Sequence, residues 1–222
     1  MMYNGWLEQR DFAMPQRWLP GFDELIGESW LTRLEKHTGT VYGFQPDYCL
    51  AYFNPAWQRF ARENGGEPAI SRDWGLGVSV MDAAPKELKE FYENYFARSF
   101  KSDPLIGQPP HHEYECSSAE IYRKLMMTCH ALKEEKGLIV VNSVLVERTH
   151  DPQERIPQPP DESTYVGSNG LVCQCVHCRR VLNIIVENRW DWVPQWVTGI
   201  PPKTSYTLCE TCFGAYYPDK VL

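Results

Sequence analysis

Two Cys-x-x-Cys pairs set the strongest constraint on this chain: Cys175 with Cys178 in VCQCVHC, and Cys209 with Cys212 in LCETC. Such a pair lets two sulfurs of one turn meet the same tetrahedral ion while nearby backbone amides offset the thiolate charge. Thirty residues separate the pairs, more than a zinc ribbon usually has, so the interval must fold into structure of its own. Within it, the β-branched run Ile184, Ile185 and Val186 predicts a short strand and Asn188-Arg189 a turn. Trp190, Trp192, Trp196 and Val197 supply bulky apolar cover. A unit with so little core needs a staple, and the expectation is structural zinc held by Cys175, Cys178, Cys209 and Cys212. Cys173 is then one thiol too many and stays unassigned. His177 lies inside the turn and is not expected to be a ligand. Arg179 stands where c-type haem attachment requires histidine, and a thioredoxin-like redox pair would want a βαβ setting that is missing here.

The compartment bears on the same cysteines, since a reducing one disfavours disulfides. No apolar run approaches the roughly 20 residues of a membrane helix, and MMYNGWLEQRDF lacks the basic-then-apolar order of a signal peptide. A cytoplasmic location without membrane association is therefore expected. The formal net charge of -7 argues against nucleic acid as a partner, because backbone binding needs a basic face.

The chain divides at DPQERIPQPPDES, whose four prolines favour an extended, semi-rigid spacer. The expected organisation is an N-terminal helical segment over 1–37, a larger domain over 38–150, a Pro-rich linker over 151–164 and the cysteine module over 165–222. In the first segment, Leu25, Ile26, Trp30, Leu31 and Leu34 recur at helical spacing, which predicts a helix over Gly21 to His37 packed on the larger domain. Two short β-type runs follow around a Gln-Pro-Asp turn, and Asn54 with Pro55 signals a helix start. DAAPKELKEFYENYFARSF reads as an amphipathic helix. HHEYECS, IYRKLMMTCHALKE and GLIVVNSVLVER then read as three strands.

This order resembles a PAS domain from about Thr38 to His150. The resemblance rests on YCLAYFNPAWQRFAREN, a strand followed by Asn-x-Ala and a helix, and on MDAAPKELKEFY, similar to the Asp-x-x-Pro and helix of the photoactive-yellow-protein subgroup. It implies an α+β fold: a five-stranded antiparallel sheet with flanking helices covering a pocket. The subgroup's chromophore cysteine is replaced by Lys86, and the flavin-photosensor motif Asn-Cys-Arg-Phe is absent, so photoreception is not expected. Haem held by His111, His112 or His130 stays open; the two adjacent histidines follow Gln-Pro-Pro at a strand start, where exposure is commoner than ligation. Leu125, Met127, Cys129 and Ala131 alternate toward the helices, either as filled core or as the wall of a small-molecule cavity.

The C-terminal module has its own resemblance. VCQCVHCRRV, WVPQWV and SYTLCETCFGAYYP, spanning Leu171 to Asp219, are similar to a four-cysteine module found at the ends of bacterial sensory proteins. Tyr206-Thr207 stands where that module usually carries His-Gly, which leaves the ligands untouched. Together the two resemblances imply a bacterial sensory or adaptor protein in signal transduction, with a PAS domain that senses a small ligand or mediates dimerisation. Its zinc module would make contacts with a protein partner. A homodimer seam is expected along Trp6, Phe12, Trp18, Leu25 and Trp30. No motif marks the chain as an enzyme; the alternative is an enzyme using the PAS-like cavity, with Cys116, Cys129 or a histidine as reactive group.

Overall fold

A computed structural model describes residues 16–103 and 107–220. Its first sheet consists of β1 (Val41–Phe44), β2 (Leu50–Phe53), β3 (His111–Glu115), β4 (Ile121–Ala131) and β5 (Leu138–Thr149). All neighbours are antiparallel, in the order β2-β1-β5-β4-β3. The register is fixed by pairs such as Tyr42 with Phe53, Val41 with Val141 and Cys129 with Val140. On β4 every second residue from Arg123 to Cys129 is buried, the period-2 pattern of a one-sided sheet. β1 and β2 are instead buried at every position, because both of their faces are covered.

The inner face carries α3 (Pro55–Glu63), α4 (Ala69–Asp73) and α5 (Lys89–Phe100). Phe44, Phe96, Phe100 and Cys129 form the centre of its core. This is the architecture that the PAS resemblance implied: α+β, five antiparallel strands, flanking helices.

The outer face of β1 and β2 is closed by the N-terminal segment. Phe22 and Ile26 pack there on Val41, Ala51, Tyr52 and Ile139. The expected single helix over Gly21 to His37 is two: α1 (Phe22–Ile26) and α2 (Glu28–Glu35). Gly27 breaks it at φ 82, a left-handed conformation that glycine adopts without penalty, and the turn lets both short helices keep an apolar edge on the sheet. Close approach here also requires Gly43, where a Cβ would come within 2.7 Å of Ile139 Cδ1 and 2.8 Å of Phe22 Cε1.

One side chain joins these parts. Asn54 is fully buried at the N-cap of α3. Its Oδ1 accepts from the Trp57 amide at 3.1 Å and the Val41 amide at 3.0 Å. Its Nδ2 donates to the carbonyls of Leu34, His37 and Gly39 at 3.2, 3.3 and 3.0 Å. The helix start foreseen from Asn54-Pro55 is thus also the point where the outer helices, β1 and α3 meet.

The second sheet, ordered β8-β7-β6-β9, is built from β6 (Val172–Cys175), β7 (Val181–Leu182), β8 (Trp190–Asp191) and β9 (Thr204–Thr207). β6 and β9 run parallel, and the other pairs are antiparallel. Short helices α6 (Glu162–Tyr165), α7 (Gln195–Thr198) and α8 (Glu210–Tyr216) complete the unit. Ile184, Ile185 and Val186 do not form the expected strand. The Asn183 side chain accepts from the amides of Ile185 and Val186, both at 2.9 Å, and this local turn overrides their β propensity. Ile185 is left 70 % exposed.

The proline-rich stretch is held at its middle. Pro157 bridges Trp192, and the Gln158 amide donates to the Trp192 carbonyl at 2.8 Å. Arg155 is buried, pairs with Glu115 of β3, and lies over the rings of Trp192 and Tyr122 at 4.7 and 5.3 Å. No helix among the described residues is long and apolar enough to cross a membrane. Trp6 and Phe12 of the expected dimer seam lie outside the described residues. Trp18 and Leu25 pack against the sheet, and Trp30 remains 62 % exposed.

Replacing Asn54 by alanine strands several buried backbone groups and should destabilise the protein by about 3 kcal/mol. Ile185→Ser, at an exposed side chain, should change stability by less than about 0.5 kcal/mol. Urea denaturation of the two variants against wild type checks both values.

Candidate functional site

The parallel pairing of β6 with β9 sets Cys175 opposite Thr207, which brings the two cysteine turns together. Cys175 ends β6, and Cys178 sits in the turn that Arg179 closes at a positive φ of 64°. Cys209 caps α8, and Cys212 lies in its first turn. All four side chains are buried, and their sulfurs lie within 4.8 Å of one another. Cys178 Sγ and Cys209 Sγ are 3.8 Å apart. A tetrahedral ion with ligand bonds of about 2.3 Å separates its sulfurs by about 3.8 Å, so the cluster could hold a metal ion such as zinc. The Cys209 amide donates to Cys175 Sγ at 3.4 Å, as expected of a thiolate-binding turn.

Ionisation of the cluster points the same way. Hydrogen bonds with Cys178, Cys209 and Cys212 hold the Cys175 thiol below its ordinary range, while hydrogen bonds with Cys175, Cys178 and Cys209 push that of Cys212 up. Four thiols this close cannot all become thiolates without a cation among them. Cys173, two residues back on β6, is only partly buried and stands outside the four. His177 makes a 2.9 Å hydrogen bond through Nδ1 with the Tyr216 hydroxyl and is likewise outside the set.

The cysteine cluster packs on α5. Leu88 is buried with Cys175, Cys178, Cys209 and Cys212, and Phe91 and Tyr92 pack on the same group. Tyr217 donates to the Glu87 carbonyl at 2.9 Å, and Lys220 pairs with Glu90 at 2.7 Å. His112 of β3 is caught in this junction, its ring 4.6 Å from Phe91 and 5.0 Å from Tyr216. Its Nε2 is buried without a partner among the described residues. Burial, with the nearby His177 as a second cause, lowers the His112 pKa to about 4. The sequence reading that made His112 exposed holds for His111 but not for its neighbour. The usable signal was alternation: His112 shares a strand face with Tyr114, which turns toward the helices.

A second feature is a cavity of about 520 Å³ between the inner face of the sheet and α3 and α4. Trp57, Phe60 and Trp74 wall it on the helix side, and Tyr114, Met127 and Asn142 on the sheet side. Met127 therefore lines space, as one of the two sequence readings had it, whereas Cys129 is fully buried in the core. None of His111, His112 and His130 lines the cavity, so the histidines considered for haem are not placed to ligate it there. Burial raises the thiol pKa of Cys116 and pushes that of Cys129 up to about 11. Both are therefore held protonated, the wrong state for a nucleophile.

No family model matches this chain, and no curated protein matches it. Among solved structures, it is similar in part to a sensory box sensor histidine kinase from Vibrio cholerae. The identity is 10 % and the TM-score 0.29, over 52 % of this chain and 86 % of that one.

The half-buried His112 has a consequence for acid stability. Its folded pKa lies below the ordinary 6.5, so below pH 6.5 the unfolded chain takes up a proton that the folded chain refuses, and stability is lost as pH falls toward 4. His112→Phe should lose about 1–2 kcal/mol less than wild type between pH 7 and 5, measured by urea denaturation at the two pH values.

Proposed function

We propose that this chain is a sensory or adaptor protein in signal transduction, in which a PAS-like domain senses a small ligand and a C-terminal structural zinc module makes the contacts that report it. The supporting observation is the double role of α5. Phe91 and Tyr92 pack both on the core that floors the cavity and on the cysteine cluster. A change in how the cavity is filled therefore acts on a helix whose other neighbour is the module. Conversely, the module is held to the sensor by packing and by the Tyr217 and Lys220 contacts, rather than by the spacer alone.

In this reading Cys175, Cys178, Cys209 and Cys212 are the zinc ligands, and the metal's contribution is to neutralise four thiolates and close the small fold. Binding of a structural zinc is folding free energy, of order 10 kcal/mol in small zinc units. The protein as purified should contain one zinc per chain by elemental analysis. Cys209→Ser should lose the metal and the order of the module while the larger domain keeps its near-ultraviolet dichroism. A metal-free wild type with a stable module contradicts the assignment.

The same reading includes a homodimer, with Trp30 as an exposed aromatic among the described residues of the N-terminal segment. Light scattering should give twice the chain mass at micromolar concentration, and Trp30→Glu should shift it to one chain mass. A wild-type monomer at that concentration removes the dimer from the reading.

A further inference from the structure

The walls of the cavity specify more than its presence. Although the chain carries 29 acidic and 22 basic side chains, no Asp, Glu, Lys, Arg or His among the described residues lines this space. A charged ligand group entering it would give up its hydration without an opposite charge to replace it. Arg123, whose guanidinium lies 5.2 Å from the Phe60 ring, has its charge paired with Glu147, and two further charged side chains, Arg59 and Glu63, line an adjoining pocket of about 130 Å³. Arg59 Nη2 donates to the Thr38 carbonyl at 3.2 Å, and Glu63 stands one turn further along α3.

The apolar part of the wall is mixed: aliphatic Leu50, Ile70, Val78 and Val80 stand beside several aromatic rings. Trp57, Phe60 and Trp74 come from the helices, with Tyr42 from β1. Tyr42 and Trp57 meet edge to face at 5.1 Å. Such rings offer flat faces at low entropic cost and favour a flat guest.

At one place the wall is polar, and its hydrogen bonds are only partly used. Tyr114 donates to Asn142 Oδ1 at 3.0 Å, and Asn142 Nδ2 donates to Thr40 Oγ1 at 3.2 Å. This chain consumes the tyrosine proton and one amide proton. It leaves the Thr40 hydroxyl proton and the second Asn142 amide proton to be given, since no acceptor takes them among the described residues. Asn142 is itself buried and is fixed through its backbone, whose amide donates to the Thr40 carbonyl at 2.9 Å. A pair of spare donors at the rim of an apolar cavity fits an acceptor with no charge, such as a carbonyl oxygen.

We propose that the cavity selects an uncharged, flat, mainly aromatic molecule that places a carbonyl oxygen against Thr40 and Asn142. This rests on the reading of the larger domain as a small-ligand sensor and specifies the chemistry of what it senses. Carboxylates of the same size are excluded by the uncharged wall, and the bare hydrocarbon is disfavoured because it leaves the two donors unpaired.

Three probes of similar size separate these terms in calorimetric titrations of the full chain: coumarin, neutral with a ring carbonyl; naphthalene, neutral without one; and 2-naphthoate, charged. Coumarin should bind saturably and at least tenfold more tightly than either of the others. Thr40→Val should weaken coumarin about tenfold and leave naphthalene unchanged, while Trp57→Ala should weaken both. The wild-type comparison needs no variant, so the ligand class can be refuted even if Thr40→Val fails to fold. Naphthoate binding as tightly as coumarin, with the loss of both in Trp57→Ala, overturns the ligand class and leaves a ligand sensor standing. Coumarin binding that is indifferent to Thr40→Val overturns the carbonyl contact. Absence of saturable binding by all three overturns the ligand class and the small-ligand reading together.

Discussion

Five hydrogen bonds from one buried amide, that of Asn54, hold the entry to the larger domain together. The constraint behind them is general. Short strands buried on both faces leave no water for the chain ends around them, so each backbone group there must find a protein partner. The carbonyls at the end of α2, the first amide of β1 and the first turn of α3 converge on a single side chain. With that point fixed, β1 presents one face to α1 and the other to the cavity. Gly43 then has to be glycine because Phe22 and Ile139 close over it.

From this anchor the structure extends outward through shared apolar contacts. α5 covers the inner face of the sheet with Tyr95, Phe96 and Phe100, then turns Phe91 and Tyr92 toward the cysteine cluster. A buried ion pair, Arg155 with Glu115, crosses from the proline-rich stretch to β3, flanked by Trp192 and Tyr122. Such a pair adds little net stability when both partners are present, but losing either one leaves a buried charge alone. It therefore fixes where the second sheet sits more than how tightly it is held.

Much of this was legible where a local rule and the tertiary demand agreed. The alternation on β4 follows from a sheet with one helical face. Asn54-Pro55 signals a helix start because the cap and the fixed proline φ are both local properties. The cysteine spacing was legible for the same reason, since each Cys-x-x-Cys turn is its own geometric unit. Where local propensity competed with a specific side-chain bond, the bond prevailed. Ile184 to Val186 read as a strand, yet Asn183 folds them into an exposed turn. Gly27 sits inside a run with good helical spacing, and the periodicity gave no hint that the two halves lie on different parts of the sheet. His112 and Arg155 were hidden for another reason: their burial is created by residues more than 30 positions away, Tyr216 and Trp192 respectively. The cavity walls likewise assemble from residues 40 to 142, and no window of sequence contains them.

The parallel pairing of β6 with β9 sets a timetable as well as a geometry. Adjacent antiparallel strands can zip from a turn, but two parallel neighbours meet only after the whole intervening segment has looped round, and loop closure grows costlier with length. The sulfurs of Cys175 and Cys178 thus meet those of Cys209 and Cys212 only once that loop has closed, whatever the order in which the first sheet forms. Until it closes, Leu88, just before α5, and Phe91 on α5 lack their cover. Closing that loop is what hides the greasy flank of α5, so a chain that fails to close it is adhesive along one side.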